Sequence, residues 1–202
     1  MTINNFNLFK TFLNFQEGFF YEVVILQRKK DNLSIINNQN ARIIKSYVVE
    51  SLNYLINKEE EMIKLAEFFN ARVYIKPFLY SKEKLGFKIL ELLSQKFQNK
   101  DLDYSNLVVK ATGNMSPKNR IWVIDIDYDI ATEREILYIQ TAINDCDPSG
   151  DHIMLKVPTP NGVHLITKPF NTQHFLTKQD VYYKCEIKKN NPTILYSNTK
   201  QL

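Results

Sequence analysis

Apolar positions change period along the chain, and that change predicts its elements. In residues 4–15, Phe6, Leu8, Phe9, Phe12, Leu13 and Phe15 recur at mostly helical spacing and predict a short amphipathic helix. Residues 19–26, FFYEVVIL, are rich in aromatic and β-branched side chains and predict a strand, followed by a second over 43–49. Residues 51–69 place Leu52, Leu55, Ile56, Met62, Ile63, Leu65, Ala66 and Phe69 on one broad stripe, the pattern of a helix ending at Asn70.

From residue 71 onward strands and helices alternate. A strand is predicted over 71–77 and a helix over 81–98 capped by Ser81. After a polar excursion over 100–119, a strand is predicted over 120–128 and a helix over 132–144 capped by Thr132. Strands over 152–157 and 163–168 flank the tight turn Pro158-Thr159-Pro160-Asn161-Gly162. A short helix over 172–176 and strands over 182–187 and 193–196 complete the series. This order predicts an α+β fold: an open mixed sheet with helices packed mainly on one face, carried by residues 71–202, with residues 1–70 as an N-terminal α/β subdomain.

Composition narrows the chemistry. With 202 residues, 44% hydrophobic and 24% charged, the chain has the profile of a globular domain. Its net charge of +4 and pI near 8.9 permit a polyanionic partner without requiring one. No run of apolar residues is long enough for a membrane-spanning helix, and Met1 is not followed by a basic n-region, so the expected compartment is the cytoplasm. The five glycines stand far apart, so no glycine-rich phosphate loop can be assembled. Cys146 and Cys185 form no CxxC pair, and His152 and His164 with Cys185 lack structural zinc spacing. Cys146 sits between Asp145 and Asp147, which disfavour a thiolate.

Two segments carry candidate chemistry. In Trp122-Val123-Ile124-Asp125-Ile126-Asp127-Tyr128-Asp129 the side chains alternate, so Asp125 and Asp127 share one strand face and Trp122, Ile124 and Ile126 the other. Adjacent carboxylates repel, and an oxygen-seeking ion, Mg²⁺ or Mn²⁺, is the economical way to hold them together. A strand that ends in solvent with acidic residues on its exposed face is the alternative. In Thr159-Pro160-Asn161-Gly162-Val163-His164-Leu165-Ile166-Thr167 a turn delivers a strand on which His164 points away from Val163 and Leu165. If the two strands are neighbours, His164 approaches the aspartates.

Together, DxD at Asp125 and Asp127 and the turn ending in Gly162-Val163-His164 resemble the motifs of the archaeo-eukaryotic primase (primase-polymerase) superfamily over roughly residues 70–200. The resemblance implies an RRM-like catalytic sheet and a divalent-metal-dependent nucleotidyltransferase. Asp125 and Asp127 would bind Mg²⁺ or Mn²⁺, and His164 would contact the incoming nucleotide. Arg72, Lys168 and Asn161 are candidates for contacts to nucleotide phosphate. The family's S-x-H serine is Gly162 here, and a third carboxylate has no clear counterpart, Asp180 and Glu186 being the nearest. The segments RKKDN, TPNGVHLITKPFN and KKNNPTILY also resemble small phage and mobile-element proteins of gut bacteria, to which no activity attaches; for a phage protein the compartment is the host cytoplasm.

Two rivals stand beside the enzyme. One is nucleic-acid binding without catalysis, with Tyr74, Phe78, Tyr80, Tyr182, Tyr183 and Tyr196 stacking on bases. Arg72, Lys76, Lys168, Lys184, Lys188 and Lys189 would neutralise phosphates. The other is a phage host-interaction protein that meets a protein partner through its acidic strand.

Overall fold

The computed structural model describes residues 2–29, 41–178 and 184–198. In chain order the elements are β1 (Ile3–Asn4), α1 (Phe6–Phe12), β2 (Phe19–Arg28), β3 (Ala41–Val49), α2 (Leu52–Phe68), β4 (Arg72–Ser81), α3 (Lys82–Gln98), α4 (Leu107–Gly113), β5 (Trp122–Asp127), α5 (Glu133–Asn144), β6 (Ile153–Pro158), β7 (Gly162–Thr167), α6 (Thr172–Leu176), β8 (Glu186–Lys189) and β9 (Thr193–Ser197). They make an α+β fold with two antiparallel sheets, ordered β1-β9-β4-β2-β3 and β6-β7-β5-β8.

Local chemistry sets the helix ends. The Ser51 hydroxyl accepts from the Tyr54 amide at the start of α2, and Ser81 accepts from Lys84 at the start of α3. Thr132 and Glu135 form a reciprocal capping box on α5. Beyond α2, Asn70 takes the left-handed backbone (φ 46°) that ends helices. The buried stripe of α2 is Leu55, Met62 and Ala66, and that of α5 is Ile136, Ile139, Ala142 and Ile143. A large aliphatic side chain fully buried in such a stripe adds about 1.5–3 kcal/mol.

The first sheet joins strands from both sides of residue 70, since β2 lies between β3 and β4. Pro77 falls inside β4 although it cannot donate to a ladder. The β2–β4 register shifts between Phe20 and Glu22, so Pro77, Phe78 and Leu79 stand against Tyr21 alone. Glu22 and Lys76 are direct partners in that ladder and form a buried ion pair at 2.6 Å.

In the second sheet, β5 and β6 run in the same direction with β7 inserted between them, a split β-α-β arrangement. The segment from β5 to β8 follows the order β-α-β-β-α-β, with β5 and β7 central. On one face Ile124, Ile126, Val163 and Leu165 pack with α5 and with Phe175 of α6. Ile121, Val123, Val157 and Ile166 join the core of the first sheet. Asn5 ties the two sheets at this level. Its buried amide donates to the Pro158 carbonyl at 3.0 Å and to the Ile194 carbonyl at 3.1 Å.

The single open mixed sheet expected from the alternating elements is therefore two antiparallel sheets. Alternation of elements does not choose strand partners. The tight turn after β6 puts β7, not β6, against β5, while β4 and β9 pair with the N-terminal strands. The polar excursion over 100–119 contains α4, whose N-cap residue Asn106 takes a left-handed backbone (φ 56°) and makes no side-chain cap hydrogen bond. Of the strand expected over 182–187, Tyr182 and Tyr183 lie outside the described residues, and β8 begins at Glu186.

Candidate functional site

The central strands of the second sheet bring the predicted residues together. Asp125 on β5 lies directly opposite His164 on β7, and His164 Nε2 is 3.1 Å from Asp125 Oδ1. The other ring nitrogen, Nδ1, is 2.8 Å from the Thr193 hydroxyl. Facing a carboxylate, Nε2 is the donor, and in the neutral ring Nδ1 accepts the Thr193 proton. The set has the connectivity of a hydroxyl–imidazole–carboxylate relay, but Thr193 is wholly buried and has no access to a substrate. Thr193 orients the ring.

Asp125 is engaged on its other side as well. On β8, Glu186 pairs with Asp125 and Lys188 with Val123, so all four share the face turned toward the first sheet. The Lys188 ammonium reaches diagonally to Asp125 Oδ2 and lies 3.2 Å from Glu186 Oε2. Burial pushes the Asp125 carboxyl up, but the hydrogen bonds from His164 and Lys188 outweigh it and hold it well below the ordinary carboxylate range. Burial alone would lower Lys188, and its bond to Asp125 raises it instead.

Gly162 sets how closely β7 approaches β5. A Cβ at this position would stand 2.0 Å from the Ile126 carbonyl oxygen and 2.8 Å from Asp127 Cα. No side chain fits there without moving β7 away from β5. The turn is closed by Thr159 N–H to Gly162 O at 3.0 Å, and Tyr128 N–H to Asn161 O at 2.8 Å holds it on the end of β5.

A cavity of about 650 Å³ opens between the sheets here. One wall carries Asp125, Asp127, His164, Glu186 and Lys188, and the facing wall carries Leu26, Arg28, Arg72 and Tyr74. Arg28 Nη1 donates to the Tyr74 hydroxyl at 3.3 Å. Lys184 stands at the rim, paired with Glu135 of the α5 cap. Cys185 also lines the cavity, and burial pushes its thiol up to about 12, so it is no nucleophile near neutral pH.

Of the residues singled out from sequence, Asp125, Asp127, His164, Arg72 and Asn161 line this one cavity, whereas Lys168 is exposed beyond the far end of β7 and does not. Among the aromatics expected to stack, Tyr74 lines the cleft, but Phe78, Tyr80 and Tyr196 are core residues. Lys76 belongs to the buried pair with Glu22. Asp180 lies outside the described residues. Thr193 and the pairing of Lys188 with Asp125 had no sequence signal, because strands 63 residues apart meet only in the folded sheet.

The donor set bears directly on the Mg²⁺ or Mn²⁺ expected at Asp125 and Asp127. Both Asp125 oxygens already hold protein donors, and among the described residues no three His, Cys, Asp or Glu side chains come together as metal ligands. As arranged, the site does not fit an ion.

Comparison with protein-family models, curated proteins and solved structures finds no match in any of the three. Among the described residues no helix is long and apolar enough to cross a membrane.

Proposed function

We propose that this chain is a nucleic-acid-handling protein that binds nucleotide phosphate groups and bases in the cleft between its sheets, on an RRM-like, primase-polymerase-like sheet. One observation carries the reading. Two central strands of a β-α-β-β-α-β unit present Asp125 and His164, in register, to a cavity whose facing wall is Arg28, Arg72 and Tyr74.

The chemistry of each wall supports it. Guanidinium groups match phosphate oxygens in a planar fork, and a neighbouring tyrosine offers a face for a base. The acidic wall repels phosphate, so phosphates bind along Arg28 and Arg72 while Asp127 accepts from sugar hydroxyls or base amines. A cavity of about 650 Å³ lies within the range that holds small ligands, roughly 300–1,000 Å³. The proposal is one of binding. It contains no transfer step, because the carboxylate such a step would use is held by Lys188.

The test is fluorescence anisotropy of labelled single-stranded DNA and RNA, with nucleoside triphosphate as competitor. Arg72→Gln is expected to weaken binding about tenfold, the loss of one charged hydrogen-bonding contact. An Arg72→Gln protein that binds as the wild type does, or a wild type without affinity for any of the three, contradicts the proposal. The second outcome favours a protein partner instead.

A further inference from the structure

We infer that Lys188 is the resident cation of this site: its ammonium, held between Asp125 and Glu186, occupies the Asp125 oxygen that an ion on Asp125 and Asp127 would need, so the cleft binds its ligand without divalent metal. The inference rests on the binding reading for its ligand, but not for the ion's replacement.

Asp125 and Glu186 stand directly across from each other on neighbouring strands, and Asp127 follows on the same face of β5. Like charges so arranged need a counter-charge. Lys188 supplies it from within the chain, touching Asp125 Oδ2 and lying 3.2 Å from Glu186 Oε2. The remaining Asp125 oxygen is taken by His164 at 3.1 Å, and the ring is fixed by the wholly buried Thr193, so each carboxylate oxygen is engaged by a protein donor.

The position of Lys188 is built in. It pairs with Val123, a fully buried residue of β5, so the root of its side chain is fixed by the ladder. The Lys188 side chain is 33% exposed and that of Asp125 22%, which places the pair where an ammonium or an ion would be only partly hydrated. Removing the ammonium leaves Asp125 and Glu186 across from each other without their shared cation, and two hard carboxylate donors with water then favour a divalent ion in its place.

The experiment is Mn²⁺ binding to the full chain, followed by the electron-paramagnetic-resonance signal of free Mn²⁺ with no nucleotide present. The wild type is expected to show no saturable site, and Lys188→Met, which keeps the apolar stem, to bind Mn²⁺ about tenfold or more tightly, as loss of an adjacent positive charge requires. Adding Asp125→Asn to Lys188→Met should abolish the gain. Lys188→Ala serves if the methionine variant does not fold. Equal Mn²⁺ affinity in wild type and variant, or none in either, overturns the inference. Because no nucleotide is present, that result is independent of the binding proposal. A second arm asks whether the wild type's oligonucleotide affinity is unchanged by EDTA; a loss of affinity in chelator likewise overturns it.

Discussion

Asp125 and His164 face each other across β5 and β7 at 3.1 Å, and Thr193 holds the far side of the imidazole at 2.8 Å. This pair joins a carboxylate from one candidate motif to the histidine of the other, and its energetics are measurable. The folded Asp125 carboxyl lies below its unfolded value of about 3.9, so the stability it contributes is fully present above that pH and is lost as pH falls further. Asp125→Asn should cost about 1–3 kcal/mol at pH 7 in urea unfolding, because it removes the negative charge and replaces one of the two acceptor oxygens that His164 and Lys188 use with a donor. The deficit should shrink at pH 3. A deficit that stays constant with pH would contradict the assignment.

Gly162 should tolerate no side chain. Its Cβ would overlap the Ile126 carbonyl oxygen at 2.0 Å, so Gly162→Ala must push β7 away from β5. The expected cost is about 1–3 kcal/mol, read as a lowered Tm in a calorimetric melt. Gly86 is the control. It lies inside α3, where an added methyl group would meet nothing within 4 Å, and Gly86→Ala should raise stability by about 0.5–1 kcal/mol.

Glu22 is wholly buried, and its Oε2 takes both Lys76, at 2.6 Å, and the Thr112 hydroxyl, at 2.8 Å. Glu22→Leu strands the Lys76 charge and should cost about 3–5 kcal/mol in chemical denaturation. Adding Lys76→Met should recover most of that loss, since an apolar pair of similar volume replaces a desolvated ion pair. Failure to recover would mean that Thr112 and α4 depend on the charge itself.

Tyr74 is the cleft's aromatic candidate for a base. Tyr74→Phe should retain most oligonucleotide affinity, with a small loss because Arg28 no longer has its hydroxyl partner. Tyr74→Ala should lose about 1–3 kcal/mol of binding, the worth of one stacked base. Equal losses in both variants would point to the hydroxyl and not to the ring.

Much of this fold was legible in the sequence where the signal is local. The Ser81 and Thr132 caps, the end at Asn70 and the alternation that puts Asp125 and Asp127 on one face and Ile124 and Ile126 on the other all depend on neighbours within a few residues. Partner choice is not local. That β9 closes on β4 and β1, that β7 separates β5 from β6, and that the strands form two sheets follow from pairings between distant segments. The site divides the same way. Asp125 and His164 were readable as motifs, but Thr193, Lys188 and the Arg28–Tyr74 wall come into it only through those long-range ladders. The aromatics Phe78 and Tyr80 read as surface candidates because the bulge at Pro77, which turns them into the core, leaves no mark in composition.

The central claim, that the inter-sheet cleft binds a phosphate backbone along Arg28 and Arg72, is tested most directly by the salt dependence of oligonucleotide affinity. Anisotropy titrations over a range of salt concentrations give a slope of log K against log salt that counts phosphate contacts. The predicted result is a measurable slope in the wild type that falls by about one for each of Arg28→Gln and Arg72→Gln. A slope that is the same in the wild type and both variants would contradict the account.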